Sequence, residues 1–374
     1  MRDLLIASRK ITERSKHVFI VWFIVLIFIV NAFDSAEYAC TYEGRMCVIL
    51  SCFVIGITAL FYLTISAASL RNDDGVFVGL HRSVGGILLI TMVTNGLLAW
   101  GPTPSMLDPF TGSPVHLVRQ LEWIALAYLI AYVIAMLDPD DHKSEPARIR
   151  DEVTDSVENA LSAKEDAVAC ESLAHQSGLE AAACASSALF GLLTSSPVAY
   201  AAIMSTSCFI FTRLLIRHFG NRSHYKPINF DILQNLDDAN ELSAKTAYSP
   251  VLQMRINIAA NWAGISVVGW PLIVLNYFGC FRVCFPESMD ASVYVDCILE
   301  VVAKALMAAS VVNAHESDLR LQMLIEALIG RIKRDKEILD LKEKNLRMEV
   351  ALRNQEFKGI CPTLISFWHM HIYS

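Results

Sequence analysis

Apolar residues along this chain gather into blocks separated by polar breaks. A spanning helix needs about 20 mostly apolar residues, and eight blocks read as spans: 17–35, 44–70, 83–101, 114–137, 179–195, 197–218, 255–278 and 291–312. The fifth and sixth are divided only by Ser195-Ser196-Pro197, a tight turn signal. The first block follows 16 residues carrying Arg2, Arg9, Lys10, Arg14 and Lys16. It exceeds the apolar region of a cleaved signal, about 7–15 residues, and reads as a retained signal-anchor helix. No internal repeat of fixed period is visible.

Two polar segments interrupt this pattern. The stretch 138–178 opens with Asp138-Pro139-Asp140-Asp141 and is helix-compatible over 152–169; it reads as an acidic cytoplasmic loop with no identifiable chemistry. After the last span, 317–357 is highly charged, free of Pro, and holds one glycine, Gly330. There Ile325, Ile332, Leu339 and Leu346 recur every seven residues, supported in part by Leu321, Leu328, Ile329 and Val350. Asp335 and Lys342 interrupt the second seam position. The pattern predicts a coiled-coil linker over 313–358, with a single solvated helix as the alternative. The tail 359–374 is apolar and reads as irregular.

Composition supports this picture. Hydrophobic residues make up 54% and charged residues 18% of the 374 positions, and the mean hydropathy is +0.42. A soluble domain carries about 25% charged residues, so this apolar excess excludes an ordinary soluble enzyme. A net charge of −7 and a pI near 5.8 argue against nucleic-acid binding. Ten cysteines are too sparse for a disulfide scaffold, and several lie in apolar runs where a thiol acts as a small hydrophobe. The predicted protein is a polytopic, all-α membrane protein: a cytoplasmic amino terminus (1–16), an eight-span domain (17–312), the coil (313–358) and the tail (359–374).

Lys and Arg near span ends set the orientation. The amino-terminal segment is basic, 213–255 carries Arg213, Arg217, Arg222, Lys226, Lys245 and Arg255, and the loops 34–42 and 101–115 carry no Lys or Arg. Both termini are therefore expected in the cytoplasm. Cys40, Cys280 and Cys284 fall on the outer side, where a disulfide can form.

Ionisable groups inside spans are functional candidates. The last span holds Asp296, Glu300 and Lys304, four residues apart and on one helix face. The fourth holds Arg119 and Glu122, again on one face, followed by Trp123. A lysine amid an apolar helix is costly as a cation unless it is paired or chemically consumed. Condensation with an aldehyde consumes the amine and leaves a cation that carboxylates stabilise. Glu122 and Glu300 would balance that cation plus Arg119. The plainer reading is an ion-pair network that only holds helices together.

These residues resemble the microbial (type 1) rhodopsins over the last seven spans. Arg119-x-x-Glu122-Trp123 is similar to their third helix, with its arginine, primary counterion and ring-packing tryptophan. Glu300-x-x-x-Lys304 is similar to the seventh, with its second counterion and retinal-linked lysine. Gly269-Trp270-Pro271 resembles the aromatic-proline pair of the sixth. The resemblance implies a seven-helix bundle binding all-trans-retinal as a Schiff base on Lys304, with Glu122 and Glu300 as counterions and Arg119, Trp123, Trp270, Pro271 and Asp296 around it. No metal is implied.

The departures bear on mechanism. Val133 stands where the proton pumps of this family carry an acid, and Leu126 and Ala127 replace pump threonines and a channel cysteine. Val267 and Val274 replace two tryptophans of the sixth helix. The extra leading span and the trailing coil resemble the enzyme rhodopsins, most of all the fungal rhodopsin guanylyl cyclases. The expectation is a light sensor signalling through the coil as part of a guanylyl cyclase system, and not itself an enzyme. A catalytic domain would belong to a longer form. Expected partners are membrane lipid and a second copy, or a related rhodopsin subunit, joined through the coil. The alternative is a light-driven ion transporter or channel; a third, a membrane scaffold or receptor without chromophore.

Overall fold

The computed structural model describes residues 2–33, 35–36, 42–69, 78–101, 103–107, 110, 114–137, 156–220, 239–277, 284 and 291–372. In chain order they form α1 (Arg2–Ala32), β1 (Ser35–Ala36), α2 (Tyr42–Ser69), α3 (Val78–Trp100), β2 (Thr103–Leu107), β3 (Pro114–His116), α4 (Leu117–Leu137) and α5 (Ser156–Ala185). There follow α6 (Ser187–Leu192), α7 (Pro197–Gly220), α8 (Ala239–Tyr277) and α9 (Ala291–Ile372). Two compact units result, one of 1–228 with 248–318, the other of 229–247 with 319–374.

In the first unit α4 is the central helix. Beyond Arg119, Gln120 and Glu122 near its start it is apolar on every side, the mark of a helix surrounded by others, and Val118, Leu129, Tyr132 and Val133 are essentially inaccessible. Helices α1, α3 and α5 pack around it. By contrast, α1 and α2 expose Phe23, Ile24, Phe28, Leu50, Ile57 and Phe61. Apolar faces of that extent belong against lipid, where helices keep their own backbone hydrogen bonds. Among the described residues, six helices are long and apolar enough to cross a membrane: Ala7–Ala32, Tyr42–Thr64, Val78–Trp100, Leu117–Leu137, Pro197–Arg217 and Asn257–Asn276. The chain is thus an integral membrane protein. The eighth expected span, 291–312, is helical but falls outside that set; Asp296, Glu300 and Lys304 lie within it.

Small residues set the helix spacing. A Cβ on Gly79 would strike the backbone of Ser8, and the Gly79 amide donates to Ser8 Oγ at 2.8 Å, so α1 crosses α3 at backbone distance. A Cβ on Gly178 would come within 2.9 Å of the Tyr128 ring, fixing α5 against α4. The buried polar groups are joined across helices: Tyr62 Oη lies 2.7 Å from His81 Nδ1, and His81 Nε2 lies 3.1 Å from His315 Nδ1. A small antiparallel sheet, ordered β1-β2-β3, pairs Ser35 with Pro104 and Ser105 with His116.

Three expectations need correction. The loop 138–178 is helical from Ser156, and the fifth span, expected at 179–195, is the end of that helix, closing at Ala185 before the short α6. Its polarity misled because the polar groups are matched across helices. Glu171 pairs with Lys10 at 2.8 Å and Arg14 at 3.5 Å, and Tyr128 Oη lies 2.6 Å from His175 Nδ1, while Cys170, Ala174 and Ser177 are buried. The amino-terminal segment expected over 1–16 is continuous with the first span in α1, which begins at Arg2 and buries Ala7, Ile11 and Ser15. The tail 359–374, expected to be irregular, is helical through Ile372. The residues Cys40 and Cys280 lie outside the described set, and Cys284 is exposed with a free thiol.

Candidate functional site

The fourth helix presents Arg119 and Glu122 one turn apart, and α9 presents Glu300 and Lys304 one turn apart. The two faces meet in the first unit. Lys304 Nζ donates to Glu122 Oε1 at 3.1 Å and stands 3.7 Å from Glu300 Oε1. Arg119 donates to Glu122 Oε2 at 2.9 Å and to Glu300 Oε1. All four are buried, with Glu122 fully inaccessible. Two cations and two carboxylates leave no net charge. That balance makes the burial tolerable, because loss of any one member strands an unpaired charge away from water.

Two amides that sequence reasoning missed bond charged residues of the site, one of them within this network. Asn95, from α3, accepts from Arg119 at 2.6 Å and donates to Glu300 Oε2 at 3.1 Å and to Ser51 Oγ at 3.4 Å. Asn276, from α8, donates to Asp296 Oδ1 at 2.5 Å. Each is an amide inside or at the end of an apolar run, a weaker signal than a charge. Just outside α4, His116 is buried beside Thr103, with its Nδ1 3.1 Å from the hydroxyl. Burial, and then the Arg119 cation, push its pKa down to about 4.

The ion cluster closes one side of a cavity of about 170 Å³. Its walls are apolar: Leu126, Ala127, Ile130 and Ile134 of α4, Leu214 of α7, Ile265 and Ile273 of α8, and Met307 of α9. Trp123 and Trp270 both line it, and Phe211 tilts against Trp270 at 5.7 Å between ring centres. Asp296, Glu300 and Lys304 supply its polar groups, with Ser266 and Cys184 at the margin. Of the residues singled out from sequence, seven therefore come together here, Arg119 and Glu122 through the ion cluster. Pro271 does not; it is exposed and absent from the lining. Among the described residues no group of His, Cys, Asp or Glu is arranged to hold a metal.

An apolar chamber containing one primary amine, with two carboxylates in reach of it, suits an apolar aldehyde. The walls shed water from the hydrocarbon, the amine supplies a nucleophile, and the carboxylates hold positive charge on the nitrogen.

No protein-family profile matches the chain, and no curated protein matches it. Solved structures do. The transmembrane domain and linker region of the rhodopsin phosphodiesterase of Salpingoeca rosetta superposes with a TM-score of 0.51 at 12% identity, covering 84% of this chain and 96% of that one. The light-driven proton pump rhodopsin of Coccomyxa subellipsoidea gives 0.47 at 15% identity, over 74% and 98% of the two chains. The thermophilic rhodopsin of Rubrobacter xylanophilus gives 0.44 at 14%, over 73% and 96%. The fold is that of a microbial, type 1 rhodopsin, and it is similar to the membrane module of an enzyme rhodopsin.

Proposed function

We propose that the protein is a retinal-binding light sensor whose signal leaves along α9 through a coiled coil joining two subunits. The observation that carries this reading is the apolar cavity ending at Lys304 with Glu122 and Glu300 in reach of its Nζ. Lys304 would hold retinal, and Trp123 and Trp270 would flank it. Bound there, retinal supplies absorption of visible light and isomerisation. The chain's own residues do the rest: Glu122 and Glu300 keep a proton on Nζ, Arg119 and Asn95 hold the carboxylates in place, and the cavity walls exclude water.

Signalling is favoured over transport by the core of α4. Val133, which stands where the proton pumps of the family carry an acid, is completely buried in the apolar core. Val133 has no proton to give. In our reading both termini and the coil are cytoplasmic, α1 is an added span before the seven rhodopsin helices, and the natural output is a guanylyl cyclase system. The partner is another copy or a related rhodopsin subunit. The second reading, a light-driven transporter or channel, draws on Asp296, a third carboxylate in the cavity.

The test is purification with all-trans-retinal followed by an absorbance spectrum and by photocurrent recording. A visible band without sustained current supports the sensor. A large steady current would promote the transporter, and the absence of any band would overturn retinal binding.

A further inference from the structure

The helix α9 carries two apolar stripes between residues 338 and 352, and their neighbours say which one a second copy would cover. Ile338, Leu339, Leu341, Leu346, Met348, Val350 and Leu352 are all about half exposed or more. One stripe continues the seven-residue pattern through Leu339 and Leu346. Its alternate positions are Asp335, Lys342 and Glu349. In a parallel pair of identical helices each of those would face its own copy, placing like charge against like charge in the seam. The positions flanking that stripe place Arg331 across from Lys336 of the other copy, again like charges.

The other stripe is Ile338, Leu341, Asn345, Met348 and Leu352, spaced three, four, three and four without a charged residue. Its flanking positions are complementary. In a parallel pair Glu337 of one copy meets Lys342 of the other, and Lys344 meets Glu349. Asn345 occupies the kind of seam position where one buried amide, facing its own copy, fixes register and favours two strands at some cost in stability. We infer that residues 338–352 of α9 form a parallel homodimeric coiled coil through Ile338, Leu341, Asn345, Met348 and Leu352, registered by Asn345 and by the Glu337–Lys342 and Lys344–Glu349 pairs. The seam thus steps sideways by one residue after Ile332. Leu339, Leu346 and Val350 stay on the outer surface. The occupant is a second copy of this chain, because the charge pairing is self-complementary. This deepens the coiled-coil part of the proposed function, and it does not depend on retinal.

The test uses the full chain in membranes, with single cysteines at 339, 341, 345 and 346 and a short thiol crosslinker, scored as crosslinked dimer above the unsubstituted parent. Leu341→Cys and Asn345→Cys should crosslink at least fivefold more than Leu339→Cys and Leu346→Cys. Lys344→Glu should reduce dimer crosslinking through Asn345→Cys at least threefold, and adding Glu349→Lys should restore it. Preferential crosslinking at 339 and 346, or equal crosslinking at all four sites, overturns the assigned seam. Failure of Glu349→Lys to rescue overturns the parallel pairing. No crosslink at any site in a chain that keeps its visible band overturns the homodimer while leaving the light-sensor reading intact. Crosslinking at 341 and 345 in a chain that never acquires a band supports the seam and sinks the retinal reading instead.

Discussion

The sharpest consequence of the geometry is that Glu122 and Glu300 are not equivalent. Glu122 Oε1 accepts a direct hydrogen bond from Lys304 Nζ at 3.1 Å, whereas Glu300 stands at 3.7 Å, with its second oxygen engaged by Asn95. With an effective dielectric near 20, the attraction of a positive nitrogen to a carboxylate is about 5 kcal/mol at the first separation and about 4 kcal/mol at the second. The difference in Coulomb energy alone is small, so the direct charge-assisted hydrogen bond decides the order. Replacing Glu122 by Gln keeps the shape but removes that charge, leaving Arg119 and the Lys304 nitrogen to share Glu300. Part of the loss is recovered if Glu300 closes the remaining gap, so the net effect is smaller than the full pair energy. At about 1.4 kcal/mol per pH unit, the visible band of retinal-loaded Glu122→Gln should disappear on alkaline titration about two pH units or more earlier than in the parent. Glu300→Gln should move it less. The assay is an absorbance titration of the three purified proteins at fixed ionic strength. Equal midpoints in all three, or a larger shift in Glu300→Gln, would refute the assignment of Glu122 as the principal partner.

Other outcomes follow from the same coordinates. Lys304→Ala removes the one amine of the cavity and should abolish the visible band, and a band that survives would end the retinal assignment. Gly178→Ala places a Cβ 2.9 Å from the Tyr128 ring and should cost about 1–3 kcal/mol as overpacking, while Gly264→Ala, with nothing within 4 Å, should be neutral or slightly stabilising; thermal melts of the two variants check the contrast. His116 has a pKa near 4 in the folded protein against 6.5 ordinarily. The unfolded chain therefore takes up the proton first as pH falls through 6.5, and up to about 3 kcal/mol of stability is lost progressively down to pH 4. His116→Asn should flatten that part of the stability profile. Illuminated cells should show at most brief charge displacements, since Val133 offers no proton; a sustained photocurrent contradicts this.

Hydropathy and spacing alone identify the membrane class, most of the long helices and the charged residues that meet at the candidate site. Charges four apart within an apolar run share a helix face whatever surrounds them, so Glu300 with Lys304, and Arg119 near Glu122, are legible without coordinates. Pairing between those two helices is not, because hydropathy says nothing about which faces meet. Nor is the role of Asn95, whose amide becomes informative only once Arg119 and Glu300 arrive on either side of it. The polar run 156–178 shows the same limit from the other direction: Glu171 and His175 look like solvent-facing residues until Lys10, Arg14 and Tyr128 are brought against them. Composition reports what a residue would cost if buried alone, and only tertiary structure supplies the partner that changes that cost.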